Sequence, residues 1–225
     1  MVSSGSNTPG NIRPLPADMP PVYVVLPTYN EAENITAMIH AIFSQPVPNL
    51  QVVVVDDSSP DGTGHQAERL RQKFGRRLHV LHRSEKQGLG PAYRAGFQYA
   101  LSEGAEFVVQ MDADFSHSPD DIPRLLQAAL EKDLVIGSRY IRGGGVDHRW
   151  NWWRRMLSRW ANSVYIRAIL GTQVRDATGG FKCWSRDALA TVLRQPVSSC
   201  GYLFQVEMNY LAEKLGFRLQ EIPIY

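Results

Sequence analysis

The sequence predicts an α/β fold, a mostly parallel sheet with helices on both faces, and three observations carry that prediction. Short β-branched runs alternate with stretches whose apolar residues recur at helical spacing. Each run ends where polar or glycine-rich residues begin, as expected of strands buried on both faces that emerge at a sheet edge. Of the 225 residues, 44% are hydrophobic and 20% charged, an ordinary globular mix that suggests neither disorder nor a disulfide scaffold. The length suits one sizeable domain or two small ones.

Residues 1–21 are rich in Ser, Gly, Asn and Pro and contain no apolar stretch of signal-peptide type. They are expected to form a disordered tail, with no signal peptide, and residues 22–225 the folded domain. The first candidate strand, Val22 to Leu26, is followed by Pro27-Thr-Tyr-Asn-Glu31, where the proline ends the strand and Thr28 or Asn30 can cap a helix over 31–43. Such a cap would turn backbone N–H groups toward the sheet edge.

The second strand, Leu50 to Val55, leads into Asp56-Asp-Ser-Ser-Pro-Asp-Gly-Thr63. An ordinary helix cap accounts for Asp61 to Thr63. The adjacent carboxylates of Asp56 and Asp57 are better suited to accept hydrogen bonds from ribose hydroxyls or base N–H groups. A helix over 64–74 and a third strand, Leu78 to Leu81, come next, followed by Arg83, Lys86 and the turn Gly88-Leu89-Gly90. These residues either place cations and close backbone near phosphates or are simply solvated. A third helix over 90–102 precedes the fourth strand, Phe107 to Met111, so the first half reads β-α-β-α-β-α-β and ligands are expected at the strand C-termini.

That fourth strand ends in Asp112-Ala113-Asp114. Residues two apart in extended chain point to one side, so the two carboxylates repel unless a cation lies between them. A hard divalent ion, Mg²⁺ or Mn²⁺, suits such oxygen ligands and can bridge to a diphosphate; a solvated acidic loop is the alternative. Farther on, Arg149 to Trp160 combines tryptophans and arginines. As a helix it aligns Trp153, Met156, Leu157 and Trp160 in one stripe, either core or facing a membrane interface. Phe204 to Leu215 reads as an amphipathic helix ended by Gly216, with a strand over 218–225. The final run, Glu221-Ile-Pro-Ile-Tyr225, has no turn or polar tail after it and reads as a cut within a longer protein.

Composition limits the function classes. A net charge of +2 does not support nucleic-acid binding as the chain's role. Cys183 and Cys200 are too few and too far apart for a zinc site, and both are expected as free thiols in a reducing compartment. No apolar run approaches the roughly 18 residues of a membrane span, so membrane contact within this chain is expected to be peripheral. The histidines show no metal or triad spacing, and His117 reads as structural or as a neighbour to site residues.

Taken in order, Pro27-Thr-Tyr-Asn-Glu31, Asp56 to Thr63, Lys86-Gln-Gly-Leu-Gly90, Asp112-Ala-Asp114, Gly137-Ser-Arg-Tyr140 and Asp176-Ala-Thr-Gly-Gly-Phe181 resemble the polyprenol-phosphate sugar synthases, and most closely the dolichol-phosphate mannose synthases. The resemblance runs from Val22 to Tyr225. It implies a GT-A glycosyltransferase fold and inverting transfer of mannose from GDP-mannose to a dolichyl or polyprenyl phosphate. Carried over by motif, Pro27, Tyr29, Glu31, Asp56, Asp57, Asp112, Ala113, Asp114 and Arg139 bind the nucleotide sugar. Asp112, Asp114 and Ser116 hold the metal, and Arg139, Arg154 and Lys182 meet the acceptor phosphate, with Asp114, Arg139 and Arg154 as the catalytic set. Two positions depart from the family pattern: Ser116 stands where Gln is common, and Lys182 where Arg is common, a point charge replacing a bidentate fork.

The resemblance further implies a peripheral position on the cytoplasmic side of a membrane, with a membrane-anchoring protein as a candidate partner. The rival readings are a sister enzyme using UDP-glucose or another donor, and a non-catalytic lipid- or protein-binding module on the same fold. A nucleotidyltransferase fits less well, since Pro27 to Glu31 supplies no phosphate-cradling loop.

Overall fold

The computed structural model describes residues 14–145, 170–197, 199, 201 and 203–224. The expected helix carrying Trp153 and Arg154 lies outside them. The strands are β1 (Val22–Thr28), β2 (Leu50–Asp56), β3 (Leu78–His82), β4 (Phe107–Gln110), β5 (Leu134–Ser138), β6 (Lys182–Ser185) and β7 (Leu219–Pro223). The helices are α1 (Ile35–Phe43), α2 (Thr63–Phe74), α3 (Leu89–Ser102), α4 (Ile122–Ala129), α5 (Arg186–Leu193) and α6 (Leu203–Lys214).

The strands form one sheet in the order β3-β2-β1-β4-β6-β5-β7. β1 pairs parallel with β2 and β4, β2 with β3, and β5 with β7, whereas β6 runs antiparallel between β4 and β5. The expected mostly parallel α/β sheet is therefore present. Alternation along the strands builds two cores. Val22, Val24, Leu26, Val52 and Val54 face α1, α2 and α4, while Tyr23, Val25, Val53 and Val55 face α3, α5 and α6. α3 sits close on its face because Gly96 has no side chain: a Cβ there would lie 2.4 Å from a Val25 methyl and 2.9 Å from one of Val55.

Several boundaries differ from the sequence reading. α1 begins at Ile35 rather than Glu31, because Asn30 takes a left-handed φ of 60° and residues 31–34 form a turn whose Glu31 carbonyl accepts from the N–H groups of Asn34 and Ile35. Neither expected cap acts. Thr28 Oγ1 instead donates to the Val55 carbonyl at 3.3 Å, tying β1 to β2. Residues 14–21 do not belong to a tail: Met19 is buried, its carbonyl accepts from Asn49 Nδ2 at 2.7 Å, and Leu15 packs against the same core. β5, β6, α4 and α5 had no sequence expectation. Their short runs lack the long periodic signal that identifies an element.

A buried polar chain links β4, β6 and α6. Lys182 is fully buried and donates from Nζ to Gln205 Oε1 at 2.8 Å and to its carbonyl at 3.2 Å. Gln110 Nε2 reaches the same Oε1 at 2.5 Å, and Trp184 Nε1 donates to Gln110 Oε1 at 3.2 Å. Burial pushes the Lys182 amine down to about 7. The folded state then holds fewer protons than the unfolded chain between about 7 and the free-lysine value near 10.4. The destabilising contribution of Lys182 is full below that window and is relieved as pH rises through it. Unfolding titrations of wild type and Lys182→Met are therefore expected to shift in favour of wild type by up to about 1.4 kcal/mol per pH unit across the window; a pH-independent difference would show that this amine does not titrate there.

Candidate active site

A cavity of about 440 Å³ opens at the C-terminal ends of β1, β2 and β4. Parallel pairing produces this convergence: Thr28 stands opposite Asp56, and Val25 opposite Gln110, so the residues that follow each strand emerge side by side. From β1 come Pro27, Thr28, Tyr29 and Glu31; from β2, Asp57; from the segment after β4, Asp112, Ala113 and Asp114. Lys86, Gly88, Leu89 and Ala92 close one side, and Gly201 another.

The loops after β1 and β2 are stitched together by side chains that satisfy backbone donors. Glu31 N–H donates to Thr63 Oγ1 at 2.9 Å, Ala32 N–H to Asp61 Oδ2 at 3.0 Å, and Asn30 N–H to Ser59 Oγ at 3.1 Å. Asp56 works within this stitching. It is buried and accepts from Ser59 Oγ at 2.5 Å and Ser59 N–H at 3.2 Å, and it does not line the cavity. Asp57 does line it, with Oδ1 accepting from Arg83 Nη1 at 2.8 Å while Arg83 Nη2 donates to Gln87 at 2.6 Å. Burial raises the Asp57 carboxyl above its usual value, against the opposing charge of Arg83.

Two features favour an anionic ligand. Lys86 Nζ lies 3.7 Å from the centre of the Tyr29 ring, a cation held over an aromatic face at the cavity wall. The N-terminus of α3 opens on the same space, where Gly88 at a φ of 95° lets the chain turn into the helix. The unpaired N–H groups of a first helical turn attract phosphate oxygens.

The acidic pair stands across from them. Asp112 Oδ1 accepts from the Tyr93 hydroxyl at 2.6 Å. Its other oxygen faces Gly180, where an added Cβ would come within 2.8 Å of Oδ2. Asp114 is exposed and accepts from the Ser116 N–H at 2.9 Å. Between them in the turn, Phe115 takes a left-handed φ of 59° and is 43% exposed, a strained placement for a bulky residue. Ser116 Oγ lies 3.4 Å from His117 Nδ1, and the buried His117 ring stacks on Phe181 with centroids 5.2 Å apart. Burial lowers the His117 pKa below the usual imidazole value.

No group of three His, Cys, Asp or Glu side chains that could hold a metal occurs among the described residues. Two carboxylates, with Oδ2 of Asp112 engaged by no donor among the described residues, still fit a hard cation that completes its shell with phosphate oxygens and water.

Beyond β5, Arg139 is clamped by the fully buried Asp176: Nε to Oδ2 at 2.9 Å, Nη2 to Oδ1 at 3.0 Å, and its backbone N–H to Oδ2 at 3.0 Å. Burial opposes the charge of Arg139, but the Asp176 hydrogen bonds and charge outweigh it and raise its pKa. Asp176 is itself fixed through its N–H, which donates to Glu221 Oε1 at 2.9 Å. Lys182 is not with them. Its amine points into the interior and is bound by Gln205, so in this structure it does not offer the phosphate contact expected of it. Arg154 lies outside the described residues.

Pro27, Tyr29, Glu31, Asp57, Asp112, Ala113 and Asp114 thus share one cavity, while Asp56 supports it from behind. Tyr93 and Gly180 were missed as site residues. On α3 the tyrosine's spacing marks it only as core, and the glycine's part depends on an approach between distant segments. A larger hollow of about 900 Å³, edged by Arg71, Arg76, Arg77 and His79, lies at the N-terminal ends of β1 to β3, away from both acidic loops.

Residues 23–193 match the model of Glycosyl transferase family 2. The chain is 42% identical over 217 residues to the polyprenol monophosphomannose synthase of Mycolicibacterium smegmatis, covering 96% of this chain and 79% of that protein. It is 44% identical over 203 residues to the undecaprenyl-phosphate mannosyltransferase of Micrococcus luteus, covering 90% and 82%. Among solved structures, the mannosyltransferase PcManGT from Pyrobaculum calidifontis, in complex with GDP-Man and Mn²⁺, superposes with a TM-score of 0.61 at 23% identity, covering 96% of this chain and 59% of that one. Glucosyl-3-phosphoglycerate synthase from Mycobacterium tuberculosis, with Mn²⁺, UDP and phosphoglyceric acid, superposes with a TM-score of 0.67 at 21% identity over 91% of this chain and 68% of its own. At these identities the structural likenesses bear on the fold, which is that of the GT-A glycosyltransferases. The sequence matches carry membership: the chain belongs to glycosyl transferase family 2.

Proposed function

We propose that this glycosyltransferase moves mannose from GDP-mannose to a dolichyl or polyprenyl phosphate, with inversion at the anomeric carbon, using Mg²⁺ or Mn²⁺ held by Asp112 and Asp114. The observation that carries the reading is the juxtaposition of that acidic pair with Asp57 and the N-terminus of α3 around one cavity. The names of the two relatives support the sugar and the acceptor, and the GDP-Man and Mn²⁺ complex of PcManGT supports the donor and the metal.

The nucleotide would lie along Pro27, Tyr29, Glu31 and Asp57, with Asp57 accepting from ribose or base. Its diphosphate would face Lys86 and the first turn of α3. When bound, the divalent ion neutralises charge that grows on the departing diphosphate; Ser116 would reach it through water. The acceptor phosphate is an anion at neutral pH, so one of its oxygens attacks the anomeric carbon as the bond to the GDP oxygen breaks, without a general base. Arg139, pre-aimed by Asp176, and Arg154 would orient that phosphate. No helix among the described residues is long and apolar enough to cross a membrane. A lipid-linked acceptor supports peripheral contact on the cytoplasmic side, with an anchoring protein as a candidate partner.

Calorimetric titration with GDP, GDP-mannose, UDP and UDP-glucose, each with and without Mn²⁺, is expected to show metal-dependent binding of the guanosine nucleotides. A preference for UDP would keep the chemistry and reassign the donor, and binding of none would sink the reading. Asp112→Ala and Asp114→Ala are each expected to lower mannosyl transfer by about 100-fold or more, with the melting temperature held in Asp114→Ala and lowered in Asp112→Ala, which leaves the buried Tyr93 hydroxyl without its acceptor; wild-type rates in both would remove the metal site from this pair. Gly180→Ala should push the Asp112 carboxylate from its position, given the 2.8 Å approach, and reduce transfer and Mn²⁺-dependent GDP binding together without loss of circular-dichroism signal. Unchanged binding would show that the contact has slack.

A further inference from the structure

A metal-binding carboxylate works through its orientation, and that of Asp112 is set from inside the core. Its Oδ1 takes the Tyr93 hydroxyl at 2.6 Å, and no other hydrogen-bond donor to this carboxylate is found among the described residues. Tyr93 is 0% exposed and its ring is locked in a stack, 5.4 Å from Phe97 and 6.2 Å from Phe204, almost parallel to the latter at 4°. The helix that carries it has its own position fixed by the approach of Gly96 to β1 and β2.

We propose that Tyr93 is a positioning residue for the metal: by occupying Oδ1 of Asp112 it presents Oδ2, the oxygen beside Gly180, as the one that binds the cation. The inference rests on the metal reading above. The two oxygens of Asp112 thereby differ in role before any ligand arrives. Without the hydroxyl, the carboxylate turns freely about its last bond and shares Oδ1 and Oδ2 between several directions, so the ordering must be done when the cation binds. Outer-shell hydrogen bonds of this kind are worth about 10- to 100-fold in metal affinity.

A purely structural role makes a different prediction. A buried tyrosine hydroxyl needs some partner, and if Asp112 served only as that partner, removing the hydroxyl would change stability and leave the metal alone. Mn²⁺ affinity in the presence of GDP, followed by the electron paramagnetic resonance of free Mn²⁺, separates the two. Tyr93→Phe keeps the ring and is expected to weaken Mn²⁺ binding by about 10-fold or more, with transfer restored toward wild type at saturating Mn²⁺. Phe97→Leu disturbs the same stack without touching Asp112, and is expected to lower the melting temperature with Mn²⁺ affinity unchanged. Equal Mn²⁺ affinity in Tyr93→Phe and wild type would overturn the proposal while leaving the metal site standing, as would an equal loss of affinity in Phe97→Leu. Failure of wild type itself to bind Mn²⁺ would overturn the metal reading and this inference with it.

Discussion

Parallel pairing of β1 with β2 on one side and β4 on the other is the constraint on which the remaining structure depends. A shared strand direction brings three chain segments out at one edge, and the register sets which residues emerge there: Thr28 opposite Asp56, with Asp57 next, and Gln110 two residues before Asp112. The apolar β-branched residues of these strands, buried on both faces, hold that register because a slip of one position would exchange the residues facing α1 and α4 with those facing α3. The cavity is thus a consequence of core packing, and the loops only decorate it.

Charge is managed by different means on the two sides of the cavity. On the β1 and β2 side, Asp57 is paired to Arg83, and the backbone donors of the β1 loop are satisfied by Ser59, Asp61 and Thr63. On the far side, Asp176 loses its hydration completely and is compensated by three donors from Arg139. A buried pair with that many hydrogen bonds contributes more to geometry than to net stability. The guanidinium is held in one orientation, with Glu221 on β7 fixing the backbone that carries its partner. The acidic pair differs from both: among the described residues neither Asp112 nor Asp114 is ion-paired with a cationic side chain, and in the proposed function the compensating charge is the divalent ion.

Much of this was legible in the sequence, for reasons that can be traced to particular residues. Strands β1 to β4 declare themselves because strands buried on both faces need near-continuous apolar runs, and the motifs follow because they sit where those runs end. What escaped depends on tertiary contact. The α1 boundary moved because Asn30 takes a left-handed conformation and side chains of another loop replace the cap. Met19, within a proline-rich stretch, is buried because Asn49 and the β1 to α1 layer receive it. Lys182 reads as a phosphate contact by motif, yet its position on β6 opposite Gln110 turns it into the core. Strand β6 was itself hidden: Lys182-Cys-Trp-Ser185 is too short for a period and runs against its neighbours.

That antiparallel insertion has a consequence for how the chain comes together. Among the described residues β5 pairs with β6 and β7, and both lie later in the sequence. When Leu134 to Ser138 leaves a ribosome, its first partner among the described strands therefore lies about 40 residues further on, an interval of roughly 2 to 8 seconds at ordinary elongation rates. During that interval the apolar run Leu134-Val135-Ile136 presents two unpaired edges, the state in which strands associate with the wrong partner. Shielding from the neighbouring α4, whose Leu125 and Leu126 belong to the same side of the sheet as Val135, is what the nascent chain has available before β6 arrives. The half of the sheet that carries Arg139 is consequently completed last.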